Sequence, residues 1–98
     1  MKLLIVDDEP LELEQLNYLI KQKWPIWEIH CAEEATQALN LSRENKFTLA
    51  FIDIRLPDIS GLELIELLKK INPNLNFIIT TAYQNFEYAQ QSIKLGVF

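Results

Sequence analysis

Residues 48–71, TLAFIDIRLPDISGLELIELLKKI, hold the decision about the fold of this chain. An apolar run ends in an acid at Asp53, Pro57 and Gly61 mark a turn, and Leu64, Ile65, Leu68 and Ile71 then recur at helical spacing. A short continuous apolar run followed by an amphipathic helix is the repeating unit of a parallel sheet covered on both faces. The sequence NPN at 72–74 ends the helix. A carboxylate delivered to the last position of a buried strand needs a chemical reason.

The same unit recurs on either side. KLLIV (2–6) is a strand stopped by acids, and Pro10 opens a helix in which Leu16, Leu19, Ile20 and Trp24 share a stripe. IWEIHC (26–31) reads as a second strand, and EEATQALNLSREN (33–45) puts Ala35, Ala38, Leu39 and Ser42 on one helical face. NFIIT (76–80) is a fourth strand, and Phe86, Ala89 and Ile93 space a fourth helix with Gly96 at its C-terminal cap. The pattern is (βα)₄, an α/β chain. Right-handed crossovers make a flavodoxin-like, doubly wound parallel sheet of order 2-1-3-4 the leading arrangement. In such a sheet the binding crevice opens at the carboxyl ends of strands 1 and 3, where the order reverses.

Ninety-eight residues make one small domain, and 49% apolar with 23% charged residues is the balance of a globular chain. A net charge of −5 works against a surface for phosphate backbones, so direct nucleic-acid binding is not expected. The apolar start is broken by DDE before it reaches the length of a signal-peptide core or membrane span. The single cysteine, Cys31, cannot form an internal disulfide and is expected to be a small buried residue in a reducing cytoplasm.

Of the four aspartates, Asp7 and Asp8 close strand 1 and Asp53 closes strand 3; Asp58 lies in the following loop and is expected to serve the turn towards Gly61. Three carboxylates at one crevice repel one another unless a cation or proton intervenes. Oxygen ligands of this kind suit Mg²⁺ or Mn²⁺. Asp8 ahead of Pro10 also reads as a helix N-cap. Thr80 and Thr81 end strand 4, and strand alternation turns one of them towards the site. His30, midway along strand 2, reads as a packed or edge histidine, and Trp24 and Trp27 are expected to pack the end of the first helix against strand 2.

With VDDE after strand 1, DIRLPDISG after strand 3 and TTA after strand 4, the chain resembles the receiver domains of two-component response regulators over its whole length. The resemblance implies Asp53 as phosphoacceptor from a sensor histidine kinase. It implies Asp8 as a direct Mg²⁺ ligand, Asp7 as its acidic partner, and the Arg55 carbonyl as a further ligand beside Asp53. Thr81 matches the switch hydroxyl, Ala82 the small residue beside it, and Pro57 and Gly61 the turn that shapes the loop. Arg55 and Tyr83 would flank the site and shield an acyl phosphate from water.

The family pattern has five βα units, and its strand-5 lysine and aromatic residue have no counterpart here; Lys69, Lys70 and Lys94 fall on helices. Residues 1–98 are therefore expected to form a receiver domain without its fifth unit. Strand 4 would then be an edge open to homodimer or strand-swapped pairing. FEYAQQSIKLGVF (86–98) resembles receivers joined to AraC-type helix-turn-helix domains, which implies a missing DNA-binding output domain; separately, no membrane partner is expected. Two other readings stay open. A haloacid-dehalogenase-type phosphatase would need a second acid where Arg55 stands, and a non-phosphorylated interaction module could share the fold.

Overall fold

The computed structural model describes residues 1–80. The elements run β1 (Lys2–Val6), α1 (Pro10–Lys23), β2 (Glu28–Ala32), α2 (Ala35–Glu44), β3 (Leu49–Ile52), α3 (Gly61–Ile71) and β4 (Asn76–Ile79). The four strands form one parallel sheet of order β2-β1-β3-β4, as the sequence pattern implied. The expected fourth helix, with Phe86, Ala89, Ile93, Lys94 and Gly96, lies outside the described residues, as do Thr81, Ala82 and Tyr83.

Strand alternation divides the core in two. Leu4 and Val6 of β1 join Ala50 and Ile52 of β3 and Phe77 of β4 under α2 and α3, which contribute Ala35, Ala38, Leu64, Ile65 and Leu68. Leu3 and Ile5 face the other way and pack on Leu13 and Ile20 of α1. Phe77, Leu64, Ile65 and Leu68 are fully buried, so truncating any one of them to Ala is worth about 2–5 kcal/mol.

The register carries directly into the site. Ile5 pairs with Phe51 and Val6 with Ile52, so one residue further on Asp7 and Asp53 come side by side, both on the face that carries α1.

The structure moves several expected boundaries and stripes. β2 begins at Glu28 rather than residue 26, because the Trp27 N–H turns back to the Trp24 carbonyl at 3.2 Å and the first bond to β1 is Glu28 N–H to Met1 O at 2.9 Å. Ile26 is left 91% exposed. Trp24 and Trp27 stack on each other, centroids 4.7 Å apart, and it is Trp27 that reaches the α1-side core. On α1 the inward stripe is Leu13, Leu16 and Ile20; Leu19 and Trp24, expected on it, are exposed. Ile71 at the end of α3 is also exposed. Cys31 is half-buried rather than fully buried, and its desolvation pushes the thiol pKa up. His30 sits on the edge strand as expected, its Nε2 2.6 Å from Glu28 Oε2 and its ring edge-on to Phe47. Among the described residues, no helix is long and apolar enough to cross a membrane.

Candidate functional site

β1, β3 and β4 each donate a backbone hydrogen bond one residue past their regular end. Asp7 N–H donates to Ala32 O at 3.0 Å, Asp53 N–H to Val6 O at 2.9 Å, and Thr80 N–H to Ile52 O at 3.2 Å. The ladder therefore fixes the backbones of both aspartates at the carboxyl edge of the sheet, where side chains leave the core. Asp7 and Asp53 remain buried, 5% and 8% exposed.

Two backbone donors hold them there. Glu9 N–H donates to Asp7 Oδ1 at 3.0 Å, and Arg55 N–H donates to Asp53 Oδ1 at 3.1 Å. A third carboxylate joins from the first turn of α1: one oxygen each from Asp7, Glu12 and Asp53 lie within 4.8 Å of one another. Asp7 is influenced electrostatically by Glu12, and Asp53 in turn by Asp7.

Burial dominates the electrostatics. Desolvation raises the Asp7 pKa from 3.8 to about 6, helped by the hydrogen bond and charge of Glu12 and the charge of Asp8, against the lowering effect of the Glu9 N–H. Asp53 is raised for the same first reason, with the Arg55 N–H opposing and the charges of Asp7 and Asp8 adding to it. A divalent cation is a natural partner for such a group. Metal–oxygen distances of about 2.0–2.6 Å let one ion reach oxygens roughly 4–5 Å apart, and hard carboxylate oxygens are the donor type that Mg²⁺, Mn²⁺ and Ca²⁺ prefer.

Asp8 is exposed and is not one of the three clustered carboxylates, although its charge acts on both Asp7 and Asp53. Nor does it cap α1: the N-cap position is Glu9, without a side-chain cap bond, and Pro10 follows. Glu12 was not singled out by sequence reasoning. The signal was present, since Glu12 stands four residues before Leu16 on the inward stripe of α1, at the end nearest Asp7.

The loop from Asp53 to Gly61 is fastened at both ends. Gly61 N–H donates to Ile54 O at 2.8 Å, and Ser60 caps α3 by accepting the Glu63 N–H at 3.2 Å. Asp58 does more than turn the chain. Its carboxylate accepts from Ala35 N–H (3.0 Å), Thr36 N–H (2.9 Å), Thr36 Oγ1 (2.9 Å) and Ile59 N–H (3.1 Å). It supplies α2 with the cap that Glu34, at the N-cap position, does not give. Desolvation is the largest single influence and raises the Asp58 pKa, but the four donors together outweigh it and hold the pKa well below the usual carboxylate range. Arg55 places its backbone against Asp53 and its side chain outward. Thr80 reaches the same edge with its hydroxyl buried and without a hydrogen-bond partner among the described residues; Thr81 lies outside them.

Known proteins agree with this geometry. Residues 3–98 match the family described as the response regulator receiver domain. The sensory transduction protein LytR of Staphylococcus epidermidis is 41% identical over 86 residues, 88% of this chain and 34% of that protein. The transcriptional regulatory protein LytR of Staphylococcus aureus is 35% identical over 96 residues, 98% of this chain and 38% of that protein. The chain thus spans little more than a third of these relatives. A CheY-like receiver domain protein from Methanospirillum hungatei superposes with a TM-score of 0.89 at 31% identity, covering 98% of this chain and 75% of that one. A Burkholderia pseudomallei response regulator, solved with a phosphorylated aspartic acid, calcium ion and citrate, gives 0.88 at 26% identity, covering 98% and 55%. With a 2-1-3-4 parallel sheet that brings Asp7 and Asp53 together at its switch point, and a family match across nearly its whole length, the chain belongs to the response regulator receiver domains of two-component signalling.

Proposed function

We propose that Asp53 is the phosphoacceptor of this receiver. The observation that carries this reading is the pairing of buried Asp53 with buried Asp7 at the sheet switch point, with Glu12 completing an acidic pocket. The Asp53 carboxylate oxygen forms a bond to phosphorus as the P–N bond of a kinase phosphohistidine breaks; the imidazole keeps the electron pair and takes up a proton. Phosphoryl transfer asks mainly for an aligned nucleophile and compensated charge. Arg55 N–H, donating to Asp53 Oδ1, orients the nucleophile.

Asp7, Asp8, Asp53 and the Arg55 carbonyl are the groups proposed to hold Mg²⁺ or Mn²⁺, which when bound offsets charge on the phosphoryl oxygens. Thr81 is proposed as the switch hydroxyl, on the strength of the TTA motif. A sensor histidine kinase is the proposed donor, in the cytoplasm. A DNA-binding output domain in the longer protein is proposed from the name of the Staphylococcus aureus relative; the relatives named above are LytR regulators, so the proposal does not fix an AraC-type fold for that domain. Self-dephosphorylation by water is the only turnover proposed. Incubation with acetyl phosphate and Mg²⁺ should add one phosphoryl group, seen by intact mass. Its persistence in Asp53→Asn would refute the assignment.

A further inference from the structure

Of the three carboxylates that meet at the sheet edge, two are anchored and one is not. Asp7 accepts a backbone N–H from Glu9 at 3.0 Å and Asp53 one from Arg55 at 3.1 Å. Both belong to buried residues at the ends of hydrogen-bonded strands. Glu12 is exposed, carries one more methylene, and reaches the pocket from the first turn of α1, with no backbone donor to its carboxylate among the described residues. It is the member of the group that can leave without disturbing the sheet.

Charge gives a reason for it to leave. Asp7, Glu12 and Asp53 around one divalent cation leave a single net negative charge before Asp8 is counted. Phosphorylation of Asp53 replaces one carboxylate charge by about two on the phosphoryl group, so the pocket becomes more negative by about one. Asp8, whose charge already acts on Asp7 and Asp53, sharpens the repulsion. Withdrawing Glu12 returns the pocket to its earlier charge and frees the space its oxygens held beside Asp53.

We propose that Glu12 is a displaceable carboxylate of the cation site, which strengthens cation binding in the resting protein and yields its place when a phosphoryl group arrives on Asp53. This deepens the phosphoacceptor reading and rests on it. Glu12 thereby opposes phosphorylation while favouring the metal, two effects of opposite sign from one side chain.

The test compares the purified parent protein with Glu12→Gln, which keeps the shape and removes the charge. Mn²⁺ binding is followed by the electron paramagnetic resonance signal of the free ion. Acyl-phosphate formation from acetyl phosphate is then timed at saturating Mn²⁺. Glu12→Gln is expected to weaken Mn²⁺ binding about tenfold, at the lower end for loss of a group that supports a metal site, and to speed phosphorylation severalfold. Unchanged Mn²⁺ affinity would overturn the proposal while leaving the phosphoacceptor reading intact. Weaker Mn²⁺ binding with slower phosphorylation at saturation would also overturn it, since Glu12 would then be a permanent ligand. A parent protein that neither binds Mn²⁺ nor takes up a phosphoryl group would overturn the phosphoacceptor reading, and this proposal with it.

Discussion

Gly61, the first residue of α3, lies against the backbone of Asp53 with no room for a side chain between them. A methyl group on Gly61 would stand 2.8 Å from the Ile54 α-carbon and nearer still to the Asp53 carbonyl oxygen. The demand is for space rather than for an unusual backbone angle, and the atoms in the way are main chain, which cannot rotate aside. Gly61→Ala is therefore expected to destabilise the protein by about 1–3 kcal/mol, the usual cost of overpacking, measured by urea denaturation. Because the displaced backbone carries Asp53, acetyl phosphate labelling should fall as well. Parental stability and labelling together would show that α3 can shift freely.

Asp58 ties the loop after Asp53 to the start of α2, from 22 and 23 positions away in sequence. Asp58→Ala should cost about 1 kcal/mol, the ordinary worth of a helix cap. The pH dependence has a definite sign. The folded pKa lies below the usual 3.8, so the stabilisation is fully present above pH 3.8 and is lost as the pH falls below it. The stability gap between parent and Asp58→Ala should be constant from pH 7 to pH 5 and shrink below pH 4. A gap that widens in acid would contradict the hydrogen-bond assignment.

Two buried hydroxyls lack a hydrogen-bond partner among the described residues. Ser42 Oγ sits on the inner face of α2, and Thr80 Oγ1 at the end of β4. Ser42→Ala removes an unsatisfied buried group and improves helix propensity, so a gain of about 0.5–1 kcal/mol is expected in thermal or urea unfolding. Thr80→Val keeps the shape and should be neutral or slightly stabilising by the same measurement. Phosphorylation lost in Thr80→Val but retained in Thr81→Ala would assign the switch role to Thr80 instead.

The buried pair Asp7 and Asp53 should make the metal-free protein less stable than its core allows. Saturating Mg²⁺ is expected to raise the melting temperature, and chelation to reverse the rise; at a hundredfold excess over Kd the gain is about 2.7 kcal/mol. Asp53→Asn, which removes one of the mutually repelling charges, should melt higher than the parent without metal and gain less from Mg²⁺. Differential scanning calorimetry with and without chelator checks both, and a lower metal-free melting temperature in Asp53→Asn would contradict the repulsion.

Among the described residues, the four strands, the three helices and the 2-1-3-4 order were legible in the sequence because continuous apolar runs such as LLIV and LAFI are buried between two helical layers. Asp53 and Asp7 were legible as a pair for the same reason: both close such runs, and the order reversal sets their strands side by side. Boundaries at Trp24 to Trp27 were not, since aromatic stacking and a local turn outweighed the strand propensity of Ile26 and Trp27. Three features were missed or incomplete in the sequence reading and were supplied by the tertiary structure. Glu12 enters the pocket because α1 packs Leu13, Leu16 and Ile20 on the Asp7 side of the sheet. Asp58 caps a helix it does not belong to because the β3–α3 loop passes over the start of α2. Gly61 is required because α3 begins against Asp53 itself. The one-dimensional pattern fixes which faces are buried through periodicity, whereas contacts between residues far apart in sequence depend on how the helices dock, and periodicity carries no record of that.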